Sequence, residues 1–197
     1  MTQNKLLIVG AGGHGRSVAE AVALAGEYEI AGFLDDGLAA GQSVMAWSVL
    51  GRSSDAQAFR HVADSVIVAI GNNALREAMT EQLQALGFAL ATVIHPRAFV
   101  APSAMVGAGS AIMAGAIVGT EAQLGRGAIV NCGAVVDHHA KVHDFGHLGV
   151  NACMAGGAVL GRAAWMQAGA AMGYGMELPA NAVLQVGAAI GATNKNY

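Results

Sequence analysis

Two rules of hydrophobic spacing govern this chain, and one gives way to the other near residue 94. Before that point, short apolar runs alternate with helical patterns. Lys5 to Val9 is an aliphatic run, the glycine-rich GAGGHG follows, and apolar residues then recur at helical spacing from about Arg16 to Leu24. Ile30 to Leu34 reads as a second strand ending on Asp35 and Asp36, and Ser65 to Ile70 as a third ending on Gly71. Ala74 to Leu86 reads as a helix with Gly87 as its cap. Strands alternating with helices predict a parallel sheet, and a segment this short holds one mononucleotide-sized half of a doubly wound fold.

From Ile94 to Ile190 an aliphatic residue or methionine recurs at every sixth position, in unbroken phase through Val100, Ile112, Val136, Val142, Leu148 and Leu184. Four residues after most of these stands a small residue, as at Ala116, Ala122, Ala128, Ala134 and Ala140. A period of six cannot be an α-helix, because 3.6 residues per turn would scatter these side chains around the axis. It fits three short strands per 18-residue coil. Each hexapeptide forms one side of a triangular prism, the aliphatic residue fills the interior, and the small residue is expected to let the chain bend at the corner. About five to six coils would stack at the usual strand spacing of roughly 4.8 Å. The domain reading is 1–93 as an α/β half-Rossmann-like unit and 94–197 as an all-β parallel β-helix.

Composition agrees. Of 197 residues, 54% are hydrophobic but only 5% are aromatic, so aliphatic side chains and alanine must fill the interior, as thin stacked layers require. With 12% charged residues the chain is too apolar for disorder, yet polar interruptions are too regular for a membrane span. A formal net charge of −3 argues against nucleic acid as a partner. Cys132 and Cys153 are the only cysteines and the first residues show no leader pattern, so the expected setting is cytoplasmic and reducing.

Gly10, Gly12 and Gly15 satisfy GxGxxG between a strand and a helix, where backbone amides and the helix N-terminus can receive phosphate. Asp35 follows at about the place where an acidic residue would hold a ribose, so a dinucleotide is one alternative. The sheet lacks the second half a dinucleotide needs, which favours a single nucleotide. Four histidines, His138, His139, His143 and His147, crowd one stretch. On a helix His139, His143 and His147 would align as metal ligands. The hexapeptide phase running through Val136, Val142 and Leu148 makes the stretch β, and no metal is expected. His143 and His139 read as solvent-facing coil residues.

The whole chain resembles the sialic acid O-acetyltransferase and bacillosamine-pathway sugar N-acetyltransferase family of hexapeptide-repeat enzymes. The resemblance is carried by GAGGHGR at Gly10 to Arg16, FLDD at Phe33 to Asp36, AIGNN at Ala69 to Asn73 and VDHHAKVHDFGH at Val136 to His147. It implies a left-handed β-helix, a homotrimer and acetyl-CoA as cosubstrate. It also implies that Gly12, Gly13, His14, Asp35, Asp36, Gly71 and Asn72 line the nucleotide pocket and that Asn131 contacts the sugar. His138 would be the general base, a task that suits a near-neutral imidazole. His147 would lie by the thioester, and Gly156 and Ala168 would contact the pantetheine arm. The family commonly has Glu or Asp after the base to tune it; here the residue is His139, so Asp137, Asp144 or a carboxylate from another chain stands as a substitute. Nine residues separate His138 from His147, half a coil, so the two leave the prism on different sides and share a site only between neighbouring subunits. Family members commonly close with several basic residues, whereas after Lys141 this chain has only Arg162 and Lys195.

The resulting expectation is N-acetylation of a nucleotide-linked 4-amino-4,6-dideoxy sugar, with UDP as the first choice of nucleotide. O-acetylation of a sialic acid or related sugar, a GDP-linked amino sugar such as perosamine, and a noncatalytic trimeric sugar-nucleotide-binding scaffold stand as alternatives.

Overall fold

A strand buried on both faces needs no alternation, and the first strand shows this. β1 (Asn4–Val9) carries the continuous run Leu6 to Val9, all of it buried. The structure, a computed structural model, describes residues 4–191. It divides into two compact units, Met1–Pro96 and Arg97–Tyr197.

In the first unit, β1 leads through Gly10 into α1 (Gly13–Ala25), then β2 (Tyr28–Leu34), a hairpin of β3 (Ser43–Val44) and β4 (Trp47–Gly51), a 3-10 stretch (Ser53–Phe59), β5 (Ser65–Val68), α2 (Asn73–Ala85) and β6 (Ala89–Leu90). The sheet order is β3-β4-β2-β1-β5-β6, parallel except for the β3 edge. α1 buries Gly15, Val18, Ala19 and Val22, a stripe at helical spacing, and ends where Gly26 turns left-handed at φ 70°. It begins before the Arg16 read from the sequence, so Gly13, His14 and Gly15 form its first turn. The hairpin and the 3-10 stretch have no counterpart in the sequence reading, because their residues carry neither periodicity over enough length to register.

The second unit follows the hexapeptide rule. Each strand has two residues, and each pairs in parallel with the strand 18 residues on, as in Ile112 with Val130, Val118 with Val136 and Leu124 with Val142. Three faces result. Face I contains Ile129–Val130, His147–Leu148 and Trp165–Met166; face II contains Val135–Val136 and Cys153–Met154; face III contains Lys141–Val142 and Val159–Leu160. The second residue of each pair points inward, and Ile112, Val118, Val130, Val136 and Leu148 are wholly buried. The fold is a left-handed parallel β-helix.

One detail corrects the sequence reading. The small residues Ala116, Ala122, Ala128, Ala134 and Ala140 do not make the bends; they are fully buried and fill the prism beside each corner. The bend belongs to the residue before them, which adopts positive φ at Gly115, Gly127 and Gly133, and at Glu121, His139 and Phe145 although these are not glycine. A left-handed conformation disfavours a side chain, so its occupation by Glu and His at one corner marks a constrained place.

Candidate active site

The first cavity lies at the C-terminal ends of β1, β2 and β5, where open α/β sheets receive ligands. It measures about 350 Å³ and is lined by Gly10, Gly12, Gly13, His14, Asp35, Asp36, Ser53 and Gly71, with Leu75 and Met79 from α2. The glycines have separate duties. Gly10, at φ 100°, turns the chain, and a side chain at Gly15 would collide with the Gly10 carbonyl. Gly12 and Gly13 face open space, which leaves their backbone accessible to a ligand.

The acidic pair is more occupied than a ribose site would require. Asp35 Oδ2 accepts from Ala11 N at 2.7 Å, and its Oδ1 accepts from Gly37 N at 2.9 Å and Leu38 N at 3.1 Å. Asp36 accepts from both the amide and the hydroxyl of Ser53 at 2.8 to 2.9 Å. Both carboxylates therefore brace the walls of the cavity. Asn72 supports it from behind, its Oδ1 accepting from Leu75 N at 2.9 Å to cap α2. Arg76, 1% exposed, donates to the carbonyls of Ile70 and Gly71 at 2.9 and 3.3 Å and holds the loop after β5. Sequence reading missed Arg76 and Ser53, whose partners lie in other loops.

His14 is neutral at physiological pH. Burial chiefly, and the nearby Arg76 charge, lower its pKa from 6.5 to about 4. Its Nε2 is buried with no hydrogen-bond partner among the described residues.

The second constellation sits in the β-helix. His138 and His139 occupy the corner between Val135–Val136 on face II and Lys141–Val142 on face III. Asp137 Oδ1 accepts from the His138 amide at 2.7 Å, while its Oδ2 stays 3.8 Å from His138 Nε2. His138 Nδ1 lies 3.0 Å from His139 Nδ1, and His139 Nε2 lies 3.0 Å from Glu121 Oε2. Gly156 is one coil beyond His138. A Cβ there would stand 2.4 Å from His138 Cε1 and 2.5 Å from its Nε2, so only glycine lets the imidazole lie this close against the next coil; the Tyr174 ring is 6.3 Å from it between centroids.

The other expected residues fall elsewhere on the prism. His147 is on face I, across the triangle from the His138 corner, 7% exposed and stacked on Trp165 with centroids 5.5 Å apart. Asn131 and Ala168 lie at the corner between faces I and II; Asn131 Oδ1 accepts from Cys132 N and the Ala168 carbonyl accepts from Gly187 N. Asp144 belongs to the third corner, where its Oδ1 accepts from Arg126 N at 2.8 Å, and this removes it from the surroundings of His138 in the same chain. His143 is exposed, as the sequence suggested, but exposed His139 carries two polar contacts. Among the described residues no group of three or more His, Cys, Asp or Glu side chains converges as metal ligands would. Nor is any described helix long and apolar enough to cross a membrane. Lys195 and the rest of 192–197 lie outside the described residues.

Residues 5–83 match the PglD N-terminal domain model. The structure also superposes on a histidine variant of GDP-perosamine N-acetyltransferase from Caulobacter crescentus, solved with CoA and GDP-perosamine, with a TM-score of 0.92 at 32% identity over 96% of this chain and 89% of that one. The chain belongs to the PglD-like nucleotide-sugar N-acetyltransferase family. The acetyltransferase domain of PglB from Neisseria gonorrhoeae FA1090 is similarly related to it, at 38% identity and a TM-score of 0.90 over 95% of this chain and 91% of that one. The curated UDP-N-acetylbacillosamine N-acetyltransferase of Bacillus subtilis (strain 168) is 32% identical over 108 residues, which span 54% of this chain and half of that relative's length. Family membership accounts for the two-unit architecture and for the motifs in both units.

Proposed function

We propose that this protein transfers the acetyl group of acetyl-CoA to the amino group of a nucleotide-linked 4-amino-4,6-dideoxy sugar, with His138 as general base. The observation that carries this reading is the imidazole of His138, half-exposed at a corner of the β-helix and seated against Gly156 of the next coil, where only glycine admits it. The exposed part of this imidazole is open to an amine and a thioester arriving from solvent.

The chemistry follows from the groups at hand. The amine attacks the thioester carbonyl carbon, and His138 Nε2 accepts the ammonium proton as the tetrahedral intermediate forms. The carbon–sulfur bond then breaks, and the CoA thiolate leaves and takes up that proton, so the imidazole returns to its neutral state. No acyl-enzyme is needed. Positioning of the two substrates and base catalysis supply the rate enhancement.

The first unit serves as the nucleotide-sugar domain. Gly12 and Gly13 offer backbone amides at the start of α1, beside the neutral imidazole of His14 in the cavity wall. Asp35, Asp36, Gly71 and Asn72 shape the cavity. The β-helix serves as the acetyl-CoA domain, with Gly156 and Ala168 along the pantetheine path, His147 near the thioester and Asn131 toward the sugar. His138 and His147 lie on opposite sides of one prism, which supports a homotrimer in which neighbouring subunits complete each site. A cytoplasmic role in glycan biosynthesis accords with a substrate linked to a nucleotide.

UDP is our first choice of nucleotide; the full-length likeness to an enzyme solved with GDP-perosamine favours GDP as the second reading. Thiol release from acetyl-CoA, measured with UDP- and GDP-linked amino sugars and with hydroxyl acceptors such as sialic acid, tests the proposal. Turnover with an amine acceptor that is lost in His138→Ala, with trimer and nucleotide binding retained, is the expected result. Turnover only with hydroxyl acceptors, or full activity in His138→Ala, would overturn it.

A further inference from the structure

His138 needs its Nε2 lone pair free, and a neutral imidazole places its one proton on either nitrogen. The family places a carboxylate directly after the base; here that residue is His139. The coil repeat supplies a carboxylate from elsewhere. Residue 121 is one 18-residue coil before 139, and both residues occupy left-handed corner positions, Glu121 at φ 56° and His139 at φ 58°. The corners are held in register by the His139 amide donating to Thr120 O at 2.9 Å, and by the Glu121 amide donating to Ser103 Oγ at 3.1 Å. Glu121 is thereby stacked directly against His139.

We propose that Glu121 and His139 are positioning residues that replace the usual adjacent carboxylate, forming a carboxylate–imidazole–imidazole chain that fixes the tautomer of His138. The inference rests on the assignment of His138 as the base. An ionised carboxylate only accepts, so across the 3.0 Å contact His139 Nε2 must carry the proton. Neutral His139 is then an acceptor at Nδ1. Only a proton on His138 Nδ1 can complete the second 3.0 Å contact, and the near-perpendicular rings, 86° apart, let that N–H point toward the neighbouring lone pair. His138 Nε2 is left with its lone pair free to accept a proton. When His138 takes the amine proton, the Glu121 charge stabilises the imidazolium through His139.

Asp137 does not do this work. Its Oδ1 is committed to the His138 amide and its Oδ2 is 3.8 Å from Nε2, the nitrogen that must face substrate. The groups around His138 are Asp137, His139, Glu121 through His139, and the Tyr174 ring. Glu121 and His139 are both about 60% exposed, and pairs of that kind add little to fold stability, so removing the carboxylate perturbs catalysis without unfolding the coil.

The test is steady-state kinetics of thiol release against pH, on the full-length protein with the amino-sugar nucleotide it acetylates fastest, for Glu121→Ala, Glu121→Gln, His139→Asn and the double variant Glu121→Gln/His139→Asn. A positioned base contributes about 10²- to 10⁴-fold, and loss of its tautomer control should remove about 10-fold or more from kcat with little change in either KM. Glu121→Gln retains an acceptor but no charge, so the acid limb of its profile should move to lower pH. In the His139→Asn background Glu121→Gln should add nothing further, and His139→Glu should restore activity to Glu121→Ala. Wild-type kinetics in both Glu121 variants, or losses that are additive with His139→Asn and leave the acid limb in place, overturn the chain. His138→Asn tells the two readings apart: if it is inactive the base assignment stands whatever Glu121 does, and if it is active both fall.

Discussion

Replacing Gly156 with alanine separates catalysis from folding at a single carbon atom. The new Cβ would stand 2.5 Å from His138 Nε2, whereas ordinary van der Waals contact begins near 3.4 Å, so the imidazole must move by about 1 Å. A misplacement of that size costs about 100-fold in rate, or roughly 2.7 kcal/mol of transition-state stabilisation. The fold loses little. Gly156 does not adopt positive φ, alanine at such a position gains about 0.4–1 kcal/mol through the unfolded chain, and the group displaced is the end of a half-exposed side chain. Thermal unfolding should therefore be nearly unchanged while kcat falls about 100-fold. Following KM for acetyl-CoA in the same thiol-release assay separates a lost pantetheine contact, which raises KM, from a displaced base, which lowers kcat. A folded Gly156→Ala enzyme whose kcat stays within about twofold of wild type would refute the placement of His138 in the reaction.

Two further outcomes concern the first unit. The folded state holds His14 neutral down to about pH 4, while the unfolded chain binds its proton below about 6.5, so stability falls as pH drops through this window and the contribution is intact above it. The loss amounts to about 2 kcal/mol by pH 5, so the unfolding free energy of wild type relative to His14→Gln, from urea titrations, should fall by about that amount between pH 7.5 and pH 5; an unchanged difference would contradict it. Gly15→Ala should destabilise by about 1–3 kcal/mol because its Cβ meets the Gly10 carbonyl, whereas Gly12→Ala should fold normally and raise KM for the nucleotide sugar, with calorimetric stability and kinetics distinguishing the two.

Much of the site follows from the repeat once a coil is counted as 18 residues. That count aligns His138 with Gly156 and Tyr174, and Glu121 with His139. The sequence reading counted hexapeptides and half coils, so it separated His138 from His147 correctly but passed over Glu121, which has no motif of its own. Asp35 and Asp36 were legible as acidic residues at a strand end. Their engagement with Ala11, Gly37, Leu38 and Ser53 was not, because those partners come from loops without periodicity.

The sequence by itself determined the two-unit organisation and the prism, because a six-residue period admits one regular geometry and an unbroken aliphatic run fits a strand covered on both faces. It also singled out His138 by motif. Only the tertiary structure decided which corner residues turn left-handed, that the alanines fill the interior, and which carboxylate reaches the paired histidines. Those outcomes depend on contacts between coils, where residues 18 apart in the chain become neighbours about 4.8 Å apart, and no local propensity carries that information.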